Sequence, residues 1–274
     1  YNLVFAVALL PAGMLGDRFG RKRLLVTGLI AFGAASLACS YATSTGQLVA
    51  ARAVLGLGGA IVMPLAISIL PLMFAADERR RAMGIVLTAN AVGFPIGPIL
   101  GGWMLDNFWW GSVFLINVPV VLVAVAATIF LVPESRSAER NPIDVTGLFV
   151  SAAGLAVFTY GVIEAGQRGW GDARALGIIL IGALTLAAFL WRERSMQRRQ
   201  RATLIDLALF SSPSFTWGTA LATIVVFSMF GLLFALPQYF QAIEGTDALG
   251  SGLRLLPIIG GLTVGARVGG RIQH

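Results

Sequence analysis

Gly13-Met14-Leu15-Gly16-Asp17-Arg18-Phe19-Gly20-Arg21-Lys22-Arg23 places one acid, four bases and three glycines between two apolar runs, near residues 1 to 15 and 24 to 42. So short a polar stretch has to reverse the chain between those runs. Gly16 and Gly20 permit a tight backbone, and Asp17 can pair with a neighbouring arginine or face the positive end of a helix. Outward from this joint the same alternation continues, with apolar runs near 47 to 74, 82 to 105, 113 to 132, 145 to 163, 175 to 190, 213 to 240 and 252 to 268.

Composition sets the scale of that alternation. Of 274 residues, 57% are hydrophobic and only 12% are charged, against about a quarter charged in an average soluble domain. A water-soluble globule of this length needs far more polar surface. A bilayer span takes about 20 apolar residues, so the nine runs account for nearly the whole chain. Backbone exposed to lipid must satisfy its own hydrogen bonds, and none of the runs shows the two-residue alternation of a barrel strand. The predicted fold is an all-α integral membrane protein of about nine transmembrane helices, with the lipid bilayer as its first partner.

The formal charge is +7. The basic residues lie in short clusters between apolar runs, which is the pattern of the positive-inside rule and not of a nucleic-acid surface. One set of alternate joints holds Arg18, Arg21, Lys22, Arg23, Arg79 to Arg81, Arg136, Arg140, Arg192, Arg194, Arg198, Arg199, Arg201, Arg267 and Arg271. The opposite set holds Arg168, Arg174 and Arg254, while Arg52 falls inside the third run. The imbalance makes the first set cytoplasmic. Cys39 is the single cysteine and His274 the single histidine, so no disulfide within the chain is expected, nor a metal site or cofactor. The runs hold neither histidine nor an acid cluster, which argues against a membrane-embedded enzyme.

Three motifs carry the family signal. Gly13, Leu15, Asp17, Arg18, Gly20, Arg21 and Lys22 match the loop signature G-x-L-a-D-r-x-G-r-K of the major facilitator superfamily. In the third run, Leu48-x-x-x-Arg52-x-x-Leu55-Gly56-x-Gly58-Gly59-Ala60 resembles that superfamily's second motif, with Leu55 in place of its glutamine. In the fourth, Gly93-Phe94-Pro95-Ile96-Gly97-Pro98-Ile99-Leu100-Gly101-Gly102 resembles the pattern of its exporting antiporters. Gly93, Gly97 and Gly101 recur every four residues, so one helical face should admit another backbone closely. Pro95 and Pro98 each remove a backbone donor and should bend the helix. Trp109 to Pro119 and the stretch from Leu236 to Pro257 resemble the fourteen-helix drug/proton antiporter branch.

The resemblance implies a function: proton-coupled efflux of hydrophobic or cationic drug-like compounds from the plasma (inner) membrane, basic loops cytoplasmic. It also implies roles for residues. Gly13, Asp17, Arg18, Gly20, Arg21 and Lys22 form a cytoplasmic gate, with Asp17 and Arg21 as latch residues. Arg52 is associated with proton movement, unless it lies near the outer interface and snorkels to headgroups. The nine runs correspond to the second through tenth helices of that branch: residues 1–132 form an N-terminal half without its first helix, 133–212 two extra central helices with their connections, and 213–274 the start of the second half. Both ends of the chain are expected to be cut. A segment at the interface is expected between 201 and 212, with Pro213 opening the next span.

Candidate cavity-lining groups are Asn90, Asn117, Tyr160, Glu164 and Gln238. Glu164 lies nearest the membrane interior among the acids, and the commoner reading of an acid one turn from the outer surface is a solvated one. The alternative to a working exporter is a transport-inactive piece that serves only as a membrane assembly partner.

Overall fold

The computed structural model describes residues 1–75, 77–135, 144–199, 203–204, 206–258, 260–261 and 265. Its elements are helical: α1 (Asn2–Phe19), α2 (Arg21–Ser40), α3 (Thr45–Met73), α4 (Arg79–Asn107), α5 (Ser112–Leu115), α6 (Asn117–Leu131), α7 (Val145–Arg168), α8 (Ala173–Arg198), a 3-10 turn (Leu207–Ser211), α9 (Pro213–Ala242) and α10 (Ala248–Leu253).

Among the described residues, six helical stretches are long and apolar enough to cross a membrane: Arg21–Ser40, Thr45–Met73, Ser112–Leu131, Val145–Arg168, Ala173–Arg198 and Pro213–Ala242. The two arms of α1 make a seventh if taken as one span, bent by 50° where Pro11 removes a backbone donor. The expected fourth span is helix α4, 29 residues long and helical through Pro95 and Pro98. The ninth begins in α10, and most of 259–268 lies outside the described residues.

Aspartates start several of these helices. Asp144 accepts from the Gly147 N–H at 3.0 Å, Asp172 from Ala175 at 2.9 Å, Asp206 from Ala208 at 3.0 Å and Asp247 from Gly250 at 2.7 Å. Each satisfies one of the free N–H groups that a helix start exposes, and sets a negative charge at the positive end of the dipole.

Two contact units divide the chain. The first takes residues 1–73 and 117–212 and contains α1 to α3, α6 to α8 and the 3-10 turn. Its core is Leu25 and Leu29 of α2, Leu65 and Ile69 of α3 and Val121 of α6. The helices close on glycine. A Cβ on Gly58 of α3 would stand 2.8 Å from the Phe32 backbone nitrogen of α2, and one on Gly56 would stand 2.8 Å from the Tyr1 carbonyl oxygen. The second motif therefore uses successive glycines on different sides, Gly56 toward α1 and Gly58 toward α2. Helices α7 and α8 meet in the same way, with Gly161 against the Ile179 backbone and Gly182 against that of Phe158.

The second unit takes residues 74–116 and 213–274, with α4, α5, α9 and α10. Here α10 packs against the C-terminal part of α4. Helix α9 opens at Pro213 as expected and buries none of its residues.

Two boundaries differ from the sequence reading. The reversal near Gly13 to Arg23 is not a loop of eleven residues: α1 runs to Phe19 and α2 starts at Arg21, which leaves Gly20 alone outside a helix with φ 111°. Only a residue without a Cβ takes that backbone cheaply. The seventh span does not stop near 190 but continues as helix to Arg198.

Candidate functional site

The glycine-punctuated motif becomes a node joining four helices of the first unit. With α1 and α2 separated by one residue, Asp17 and Arg21 come together as an i,i+4 pair, the Arg21 Nε donating to Asp17 Oδ1 at 2.8 Å. Arg21 Nη1 donates to the Ser68 carbonyl of α3 at 3.2 Å, and its backbone N–H donates to the Ser135 carbonyl at 3.0 Å. Lys22 Nζ donates to the Ile129 carbonyl of α6 at 2.7 Å. Arg23 pairs with Glu134 at 3.4 Å. Arg18 lies over the Phe19 ring, 5.8 Å from its centroid. Lys22 thus caps a free carbonyl at the end of α6, and Arg21 adds a second donor to a carbonyl in the last turns of α3, as cations do near helix C-termini.

Gly16 has a different part from the one expected of it. It sits inside α1, and a Cβ there would lie 2.2 Å from Leu65 Cδ2, so it admits a core leucine of α3 and does not loosen the backbone. A Cβ on Gly13 would meet no atom within 4 Å among the described residues.

Arg52 is in the second turn of α3 and is exposed.

Of the candidate cavity residues, Asn117 is committed to packing: its Nδ2 donates to the buried Ser36 Oγ at 3.0 Å and ties α6 to α2. Tyr160 is exposed on α7. Gln238 is exposed on α9 and, among the described residues, donates to the Phe234 carbonyl of its own helix at 3.2 Å. The Asn90 side chain lies outside the described set. Glu164 corrects the reading of a solvated acid. It lies inside α7 at 8% exposure and forms an ion pair with Arg168, one turn on. Burial of a carboxylate is offset by a charged hydrogen-bond partner.

In the second unit the exporter-type pattern makes its close approach at a different glycine from the expected face. Cβ atoms on Gly93, Gly97 or Gly101 would meet nothing within 4 Å among the described residues. One on Gly102 would lie 2.5 Å from the Ala248 carbonyl oxygen, and one on Gly252 would lie 2.9 Å from that of Pro98. Gly102 and Pro98 therefore meet the backbone of α10, and Asp106 beyond them accepts from the Leu249 N–H at 3.1 Å. The four-residue period marks a face of α4, but α10 crosses its edge.

A charged cluster was missed in the sequence. Arg192 Nη2 donates to Asp144 Oδ1 at 2.8 Å, and Nη1 to the other carboxylate oxygen, a two-pronged pair linking the start of α7 to the end of α8. These hydrogen bonds hold the Asp144 carboxyl below the usual carboxylate range; burial opposes the shift and the Gly147 N–H adds to it. Glu193 is fully buried in α8 and accepts from the Leu204 N–H at 2.8 Å. The signal in the sequence was Asp144 standing immediately before an apolar run, which marks an N-cap.

Comparison with known proteins agrees with these motifs. The sequence profile of the Major Facilitator Superfamily matches residues 1–274, and the chain belongs to that family. It is 36% identical over 272 residues to the tetracenomycin C resistance and export protein of Streptomyces glaucescens, covering 98% of this chain and 50% of that one. It is 33% identical to the probable actinorhodin transporter of Streptomyces coelicolor, over 99% of this chain and 48% of the relative. It is 34% identical to the multidrug efflux pump LfrA of Mycolicibacterium smegmatis, over 96% and 53%. The chain spans about half the length of these relatives.

Proposed function

We propose that the protein to which this chain belongs is a secondary active exporter, moving hydrophobic or cationic drug-like compounds out of the cell in exchange for protons. In this reading it lies in the plasma membrane with the Asp17–Arg21 node and the arginine-rich end of α8 on the cytoplasmic side. The observation that carries it is the glycine and proline pattern of α4, whose Pro98 and Gly102 bring that helix against the α10 backbone. Two relatives of which the chain matches about half are named for export or efflux, which supports the same direction of transport. Residues 1–132, 133–212 and 213–274 then serve as the larger part of one transporter half, two extra helices and the start of the second half. Arg52 takes the proton-coupling role, and Asp17 with Arg21 the latch.

Efflux of a fluorescent hydrophobic cation from cells making the full-length protein tests the proposal. Extrusion should stop when the proton gradient is collapsed. Extrusion that continues unchanged without the gradient rejects proton exchange.

The half-length match favours a second reading for residues 1–274 taken alone: a transport-inactive membrane assembly partner. Purified and reconstituted, this stretch should then give no gradient-driven uptake above empty vesicles. Uptake of any drug-like cation would reject that reading.

A further inference from the structure

The helical continuation of α8 beyond its apolar run has a consequence for the lipid around it. From Ala173 to Leu190 the helix carries a single charge, Arg174; Trp191 follows, then Arg192, Glu193, Arg194, Arg198 and Arg199. On a helix Trp191, Arg194 and Arg198 fall three and four residues apart and share one face. Trp191 is 74% exposed on it. A tryptophan followed by arginines on a lipid-facing helix marks the level of the headgroups. The adjoining side is occupied otherwise: Arg192 is held by Asp144, and Glu193 beside it is buried. Among the described residues no ion pair engages Arg194, Arg198 or Arg199, and all three are exposed.

The chain after α8 is tied back to the same helix end. Leu204 N–H donates to Glu193 Oε2 at 2.8 Å, and Gln197 Nε2 donates to Asp206 Oδ1 at 2.9 Å. The 3-10 turn that Asp206 caps leaves Leu209 and Phe210 exposed beside it. Two exposed guanidinium groups and a tryptophan on one face match a phosphate headgroup at the membrane boundary, and the apolar turn is pinned at the same helix end through Glu193 and Gln197 on the adjoining side. A joint serving only as a positive-inside signal has no need of the pinned turn or of the shared face.

We propose that this end of α8, with the 3-10 turn, is a binding surface for anionic phospholipid. Arg194 and Arg198 hold the headgroup phosphate, Trp191 sits at the headgroup boundary, and Leu209 and Phe210 lie against the upper acyl chains. Charge complementarity selects this occupant over a zwitterionic lipid, whose own cation offsets its phosphate. The inference rests on membrane insertion and is independent of what the protein exports.

The test uses the full-length protein in neutral detergent, stripped of lipid and titrated with phosphatidylglycerol or phosphatidylcholine, with adducts counted by native mass spectrometry. Wild type should retain phosphatidylglycerol in preference to phosphatidylcholine, and raising the salt should erase the preference. Each arginine near a charged surface contributes about five-fold, so Arg194→Gln with Arg198→Gln should weaken phosphatidylglycerol retention by about thirty-fold and leave phosphatidylcholine unchanged. Equal retention of the two lipids by wild type overturns the proposal, as does a preference insensitive to salt. A folded double variant that keeps the wild-type preference places the lipid elsewhere and also overturns it.

Discussion

Asp17 and Arg21 close on each other across Gly20, the one residue between α1 and α2 that is not helical: Arg21 Nε lies 2.8 Å from Asp17 Oδ1, and Arg21 Nη1 reaches on to the Ser68 carbonyl of α3 at 3.2 Å. A single guanidinium thereby joins a carboxylate of one helix to the carbonyl of another.

Removing the Asp17 charge separates positioning from stability. The pair is part-buried, with the Asp17 side chain 49% and that of Arg21 23% exposed, and water at the carboxylate limits its contribution to about 1 kcal/mol. Asp17→Asn should shift the melting temperature of the full-length protein little, yet slow efflux several-fold by freeing Arg21. A melting temperature that falls in step with the activity would make Asp17 a structural residue and not a latch.

The glycines of α4 should not be equivalent. Gly102→Ala puts a methyl 2.5 Å from the Ala248 carbonyl oxygen, an atom of backbone that cannot rotate away. Overpacking of that kind costs about 1 to 3 kcal/mol. Gly97→Ala meets no atom within 4 Å among the described residues, so its melting temperature should stay at the wild-type value. Thermal melts of the two variants in detergent give the order, and a Gly97→Ala variant less stable than Gly102→Ala reverses the assignment of the close contact.

For Arg52 the measurement is proton flux in the full-length protein. Arg52→Ala should reduce proton-coupled efflux at least about ten-fold, and Arg52→Lys should restore only part, because an ammonium lacks the planar fork of a guanidinium. Mild effects from both would return Arg52 to the role of a snorkelling interface residue.

The Asp144–Arg192 pair predicts a pH dependence with a definite sign. The Arg192 hydrogen bonds depress the folded-state pKa of Asp144, so the stabilisation is complete above the ordinary carboxylate value and fades as pH falls through the depressed one. Arg192→Gln leaves a carboxylate of 8% side-chain exposure without its cation. Breaking a fully buried pair costs about 3 to 5 kcal/mol; Arg192 is itself 30% exposed, so a loss on the order of 2 kcal/mol is expected near neutral pH. Melts of wild type and variant should differ at pH 7 and converge in acid. A constant difference down to acid pH would mean that charge is not the cause.

The positions of the helices were legible in the sequence, because apolar runs of span length can satisfy their backbone in lipid only as helices. Where they end was less legible. Charge marks the end of an apolar run but not of backbone hydrogen bonding: α8 carries Arg192 and Glu193 inside the helix, where Arg192 donates to Asp144 and Glu193 accepts from the Leu204 N–H. The single-residue turn at Gly20 was hidden for the same reason, since Asp17, Arg18 and the bases after Gly20 read as loop by polarity while their backbone is helical.

By itself the sequence determined the membrane class and the helical state, which follow from composition and from the length of the apolar runs along one chain; its three motifs carried the resemblance to the family. Which residue of each motif touches what was decided only in three dimensions. Gly16 faces Leu65, Asn117 holds Ser36, Glu164 is buried and pairs with the exposed Arg168, and Gly102, not Gly97, meets α10. Spacing fixes the face of a helix on which a residue lies. The crossing point of the neighbouring helix depends on side chains far away in the sequence, and that crossing decides which glycine lies against another backbone and which charge is paired.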